Sequence, residues 1–228
     1  MHTSARLCGE QFFRSYGSAG MRVLDIGSRD VNGTLRGVAP PGARFVGMDI
    51  EAGPGVDQVV VAGEPMPFED DAFDAVVSTS CFEHDPCFWE TMAEAMRVLR
   101  PGGYFYFNAP SNGTYHGYPY DNWRFYPDCG LALVQWLKRK GPVGLVESGT
   151  LAQRNDVWND FYAVFQKADT TARQAGRSFI YEHFTATNVR TCEQSGVTYF
   201  EIHPEDMRRA DRTWVSHVRR LLARIRHR

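Results

Sequence analysis

The sequence predicts an α/β fold: a doubly wound, mostly parallel sheet of seven strands with helices on both faces. Three observations predict it. Short continuous apolar runs recur between turn signals, as strands buried on both faces require. A run with helical spacing lies between two of them, as a parallel crossover demands. Two of the runs end in an acid, Asp25 and Asp49, at the strand ends where such sheets collect ligand-binding groups.

The elements follow in order. Residues 1–20 are expected to form an N-terminal helix ahead of a core over 21–166. Strands are expected at 21–26, 44–49, 56–61, 73–78 and 104–108. Residues 88–99 carry Trp89, Met92, Ala93, Met96 and Leu99 at helical spacing, and Arg100-Pro101-Gly102-Gly103 ends that helix. Residues 145–151 and 157–165 read as a strand pair closing the sheet antiparallel, because little chain separates them. The stretch 166–178 is polar and shows no clear period. Residues 167–228 form a C-terminal extension. In it Met207, Ala210, Trp214, Val218, Leu221, Leu222 and Ile225 make one apolar stripe on a basic helix.

Composition limits the function classes. The chain has 228 residues, 43% hydrophobic and 23% charged, enough for one core of ordinary globular type. Net charge is −2, which gives no general argument for nucleic acid or membrane. Charge is uneven: from Pro204 on there are eight Arg and three acids, +5 against −7 for the rest. The apolar stripe there suits packing on the core or on a second copy, as in a homodimer, better than phosphate binding. Five scattered Cys without a C-x-x-C, no signal-peptide run and no membrane span imply a reduced, cytoplasmic protein. Cys81, His84 and Cys87 are evenly spaced, but zinc sites usually add a fourth ligand from a second paired motif.

The loop after the first strand separates the nucleotide-like ligands. In RVLDIGSRDVNG, residues 22–33, Arg29, Asp30, Val31 and Asn32 stand where a pyrophosphate would need glycines. Asp30 would repel a phosphate. An acid at Asp49 suits a ribose diol. The ligand expected is one without phosphates, carrying an amino acid end and a ribose.

Four motifs in order resemble the class I S-adenosylmethionine-dependent methyltransferases. VLDIGS resembles the first, VGMDIE the second. GEPMPFEDDAFDAVVSTSCFEH resembles the stretch through the fourth strand, and MRVLRPGGYFYF the turn before the fifth. The resemblance covers about residues 16–125. It implies a Rossmann-like methyltransferase fold and S-adenosylmethionine held by Tyr16, Asp25, Gly27, Ser28, Asp49, Ile50, Glu64 and Ser80. The chain departs from the family pattern in two places. The glycine loop reads Gly27-Ser28-Arg29-Asp30-Val31, and Ala62 or Gly63 stands where an acid usually faces the adenine.

Residues 108–130, NAPSNGTYHGYPYDNWRFYPDCG, are too long and polar for a simple turn and read as an acceptor-binding loop. Tyr115, Tyr118, Tyr120, Trp123 and Arg124 are the candidate substrate contacts. Trp123, Phe125 and Tyr126 are also expected to pack the loop onto the sheet. DNWRFYP resembles methyltransferases of sugar and polysaccharide pathways, so the acceptor expected is a hydroxyl of a small molecule, a sugar or oligosaccharide. An aglycone or carboxylate acceptor, or a non-catalytic or RNA-binding protein on this fold, is the alternative. A hydroxyl acceptor needs a base. His116 leads, with Asp121 orienting it and His84 second. Mg²⁺ is the metal considered, with Glu83, Asp85, Asp121, Asp156 and Asp160 as oxygen ligands.

Overall fold

The computed structural model describes residues 3–151, 159–173 and 175–200. Helix α1 (Thr3–Tyr16) leads into β1 (Arg22–Ile26), β2 (Arg44–Asp49), β3 (Gln58–Val59) and β4 (Phe73–Thr79). Then come α2 (Phe88–Val98), β5 (Leu99–Pro110), α3 (Cys129–Leu137), β6 (Gly144–Leu151), β7 (Asp160–Gln166) and β8 (Ala186–Thr191).

The strands form one mixed sheet in the order β3-β2-β1-β4-β5-β7-β6-β8. The first five in that order run parallel, and β7 lies antiparallel between β5 and β6. The chain builds outward from β1 to β3, then crosses to β4 and β5 on the other side. That reversal between β1 and β4 is the switch point at which a ligand crevice opens.

Alternation splits the central strands between two cores, which explains why they read as continuous apolar runs. Leu24, Ile26, Phe105, Phe107, Phe161 and Phe165 pack under α2 and α3. Val23, Tyr106, Tyr162 and Val164 pack on the other face with Phe12 and Tyr16 of α1.

Several elements differ from the sequence expectation. The sheet has eight strands, because β8 pairs antiparallel with β6. The third strand shortens to two residues: Asp57 is drawn back to β2, accepting the Gly47 N–H at 2.7 Å. Leu99 is extended and opens β5, and the Pro101-Gly102-Gly103 turn is absorbed as a register shift between Phe73 and Ala75. Helix α3 is additional. The expected helix over 205–225 lies outside the described residues.

Candidate functional site

The carboxyl ends of β1, β2, β4 and β5 face a cleft of about 1240 Å³. Of the cofactor candidates, Asp25, Gly27, Ser28, Asp49, Ile50, Glu64 and Ser80 all line it. Of the acceptor candidates, His84, His116, Tyr118 and Tyr120 do so from the opposite wall, together with Glu83.

The first loop is shaped by close backbone approach. Gly27 has φ +76°, and a Cβ there would lie 2.5 Å from Cys81 Sγ, so neither backbone nor space admits a side chain. The Gly27 and Ser28 N–H groups both donate to Met48 O, at 2.9 and 3.1 Å, which fixes the turn beside β2. Ser28 Oγ is buried without a hydrogen-bond partner. Asp30, expected to repel phosphate, accepts the Gly33 N–H at 2.7 Å and so closes its own loop.

Asp49 is held by backbone: Oδ2 accepts the Arg29 N–H at 3.0 Å and Oδ1 that of Glu51 at 3.2 Å. Arg29 and Glu51 pair across the same corner. Asp25 is deeply buried. Burial pushes its carboxyl up to about 7; Arg36 opposes the shift and Asp49 adds to it. Ser80 adopts φ +51°, a conformation costly for a non-glycine residue. Its N–H donates to Asn108 O at 2.9 Å, tying the ends of β4 and β5 together.

The opposite wall is a loop pinned from behind. The Asn122 and Trp123 N–H groups donate to Glu83 O at 2.7 and 3.2 Å. Asn122 Nδ2 reaches His84 O and Trp123 Nε1 reaches Asp85 O, each at 2.8 Å. Arg124 grips both oxygens of Asp121, at 2.5 and 2.7 Å. That clamp holds the Asp121 carboxyl down at about 2. Asp121 Oδ2 then lies 3.3 Å from His116 Nδ1 and accepts the His116 N–H at 2.8 Å. The rings of His84 and His116 stand edge to face, 5.0 Å apart. His84 Nδ1 contacts Tyr120 O. Burial lowers the His116 pKa; Asp121 opposes the shift and His84 adds to it. Burial raises the Glu83 carboxyl to about 8.

Some candidates are placed elsewhere. Tyr16 does not line the cleft: its hydroxyl donates at 2.5 Å to Glu147 in the second core. Asp121 and Arg124 stand behind His116, not in the cleft wall. Trp123 packs edge-on against Phe88 and Trp89, so its ring is used by the loop's own anchoring. Tyr115 is exposed, and its hydroxyl lies over Gly117. The oxygen ligands considered for Mg²⁺ do not converge. Asp85 accepts from Cys87 N–H and Thr91 Oγ1, Asp121 is held by Arg124, and Asp160 accepts from Ser4 Oγ at 3.3 Å. Asp156 lies outside the described residues. Cys81 and Cys87 do not join a metal-binding group with His84; among the described residues the group that forms is Glu83, His84 and His116.

The sequence reading missed the packing of Cys81 on Gly27 and the pair Arg36–Asp57, which braces β2 from the Gly55 turn. Neither carries a local motif. Both partners of each contact are far apart in sequence.

Comparison with known proteins agrees with this fold. Residues 24–107 match a family model described as a methyltransferase domain. A phthiotriol/phenolphthiotriol dimycocerosates methyltransferase of Mycobacterium tuberculosis is 46% identical over 52 residues, 23% of this chain and 19% of that protein. An uncharacterized methyltransferase of Mycobacterium avium is 34% identical over 97 residues, 38% of each protein. The chain thus spans about a fifth to two-fifths of the length of these curated relatives. Among solved structures, the Burkholderia thailandensis 1,6-didemethyltoxoflavin-N1-methyltransferase with bound 1,6-didemethyltoxoflavin and S-adenosylhomocysteine is similar at TM-score 0.54 and 16% identity. The match covers 73% of this chain and 79% of that one. The [4+2]-cyclase SpnF is similar at TM-score 0.54 and 16% identity, over 72% of this chain and 82% of its own. At these identities the structures show the fold. Residues 24–107 thus match a methyltransferase domain, and the chain shares the fold of these solved structures.

Proposed function

We propose that this chain, through its methyltransferase domain, is an S-adenosylmethionine-dependent O-methyltransferase that modifies a hydroxyl of a small molecule. The observation that carries the reading is the pair of acids, Asp25 and Asp49, at adjacent strand ends over one cleft. Asp49 is oriented by two backbone N–H groups to accept from a diol, and the Gly27 turn leaves room that a side chain would fill. Asp25, deeply buried, suits a cationic amino acid end. Ser28 Oγ, lacking a partner, suits a polar atom of the same ligand. The exposed Ile50 and the Glu64 backbone would flank the adenine.

When bound, the cofactor supplies a methyl already activated for in-line displacement. The protein's work is then to position the acceptor and deal with its proton. Tyr118 and Tyr120, exposed and lining the cleft, offer flat faces and hydroxyls to a sugar or oligosaccharide. His116, backed by the Asp121–Arg124 clamp, is the proton acceptor, with His84 beside it.

A labelled-methyl assay against sugars, phenols, carboxylates and RNA tests the reading. Transfer to a hydroxylated small molecule supports it. Transfer only to RNA, or none to any class with the cofactor bound, overturns it.

A further inference from the structure

We propose that Glu83, His84 and His116 bind a divalent transition-metal ion in the wall of the cleft. The ligand atoms of the three side chains lie within 4.8 Å of one another. Glu83 Oε1 and His84 Nε2 are 3.6 Å apart. Ligands at the usual ~2.0–2.2 Å from a tetrahedral metal stand about 3.4 Å from each other. One edge of the polyhedron is therefore nearly in place, and the third ligand closes by side-chain rotation.

A second observation points to a cation independently. Glu83 is 1% exposed, and its Oε2 is buried without a hydrogen-bond partner. A buried carboxylate oxygen of that kind calls for a positive partner. The nearby guanidinium of Arg124 is committed bidentately to Asp121. Asp160, also buried, lines the same cleft and adds negative charge.

The surroundings orient the rings as metal ligands are oriented. His84 Nδ1 rests on the Tyr120 carbonyl oxygen, and His116 Nδ1 lies 3.3 Å from Asp121 Oδ2. The acceptor at His84 Nδ1 fixes that ring's tautomer with its proton there and leaves Nε2 as the ligating nitrogen, while the Asp121 carboxylate stands beside His116. Oxygen acceptors behind metal-bound histidines do this routinely. Two imidazoles and one carboxylate select Zn²⁺, Co²⁺, Mn²⁺ or Fe²⁺ over Mg²⁺ and Ca²⁺, which prefer oxygen. Three protein ligands leave a coordination position on the cleft side for an exogenous oxygen.

The inference rests on the proposed function in one respect only, that this oxygen is the acceptor hydroxyl. With an ion bound, His84 and His116 would serve as ligands in place of the base role that His116 has in the metal-free site, and the ion would supply Lewis acidity that lowers the acceptor hydroxyl's pKa, its proton passing to solvent.

The test is titration of the chelator-treated full chain with Co²⁺ alone, read by visible absorption, followed by competition with Zn²⁺ and with Mg²⁺. The expected result is one equivalent of Co²⁺ in a low-coordinate nitrogen–oxygen site, displaced by Zn²⁺ and indifferent to Mg²⁺. Glu83→Gln and His116→Gln should each weaken binding more than about 100-fold, beyond what outer-shell changes produce. S-adenosylmethionine affinity and circular dichroism should stay unchanged. If Glu83→Gln fails to fold, the half-buried His84→Gln and His116→Gln serve in its place. Absence of stoichiometric Co²⁺ binding, or binding that survives both histidine substitutions, overturns the inference. Cofactor binding without metal binding sinks this site alone; metal binding without methyl transfer to any hydroxyl sinks the proposed function alone.

Discussion

Under the proposed function, Asp25 should link cofactor affinity to pH. Its buried carboxyl titrates near 7 in the free protein, whereas a cationic ligand requires it ionised. The sign follows: above that pH the group is already charged and affinity is flat, and below it binding must expel a proton. Affinity should fall by up to about tenfold per pH unit beneath 7, and Asp25→Asn should bind weakly with no such slope. Calorimetry across pH 5.5–8 reads both; a wild-type profile flat over that range contradicts the assignment. Gly27 is the second residue with a sharp consequence. Gly27→Ala adds left-handed strain of about 1–3 kcal/mol and a Cβ 2.5 Å from Cys81 Sγ. Adding Cys81→Ala removes the Sγ contact but leaves the residue 81 Cβ 2.6 Å away and the strain in place, so the double variant should recover only part of the melting temperature lost by Gly27→Ala. Full recovery would mean that the backbone conformation costs nothing.

At the scale of elements, the 115–126 loop divides into an anchor and a working face. Trp123 donates to Asp85 O and packs on Phe88 and Trp89. Trp123→Ala should therefore cost about 1–3 kcal/mol of stability, less than a fully buried aromatic. Tyr118→Ala and Tyr120→Ala should leave the melting temperature in place and change acceptor kinetics, because both side chains are exposed in the cleft. Unchanged kinetics in both would make the loop packing alone. Length and mixed aromatic–polar content mark this loop in the sequence as a candidate acceptor site. They do not tell Trp123 from Tyr120, because Trp123's anchoring partners lie more than thirty residues away. The same limit hid Tyr16, whose role depends on Glu147 across the sheet. By contrast, Gly130, Leu133, Val134 and Leu137, buried on one face of α3, stand at helical spacing, so α3 carries a legible signal in the sequence.

The whole molecule joins two cores across one sheet, and a single buried carboxylate ties the second together. Glu147 is fully buried and accepts from Tyr16, Tyr162 and the Ile180 N–H, linking α1, β6, β7 and the segment before β8. Burial raises its carboxyl to about 7, against the pull of those donors. A carboxyl raised in the folded state contributes stability that is complete below its unfolded value near 4.5 and is lost as pH rises to 7. The span corresponds to about 3 kcal/mol at 1.36 kcal/mol per unit. Denaturant midpoints of wild type and Glu147→Gln, compared at pH 4.5 and 7.5, should show the wild type losing more between them. Equal losses would place the proton elsewhere. The parallel half of this architecture was legible because its strands are buried on both faces and its acids mark strand ends. β8 was not: its burial follows no clean alternation, and only pairing with β6 makes it a strand.

The central claim is that the cleft at the ends of β1 and β2 holds S-adenosylmethionine through Asp25 and Asp49. Isothermal titration of wild type and Asp49→Ala with the cofactor tests it most directly. The account predicts one site in the wild type and a loss of about 1.5–3 kcal/mol in Asp49→Ala, the scale of a charged hydrogen bond. No binding by the wild type, or tight binding of NAD in its place, would contradict it.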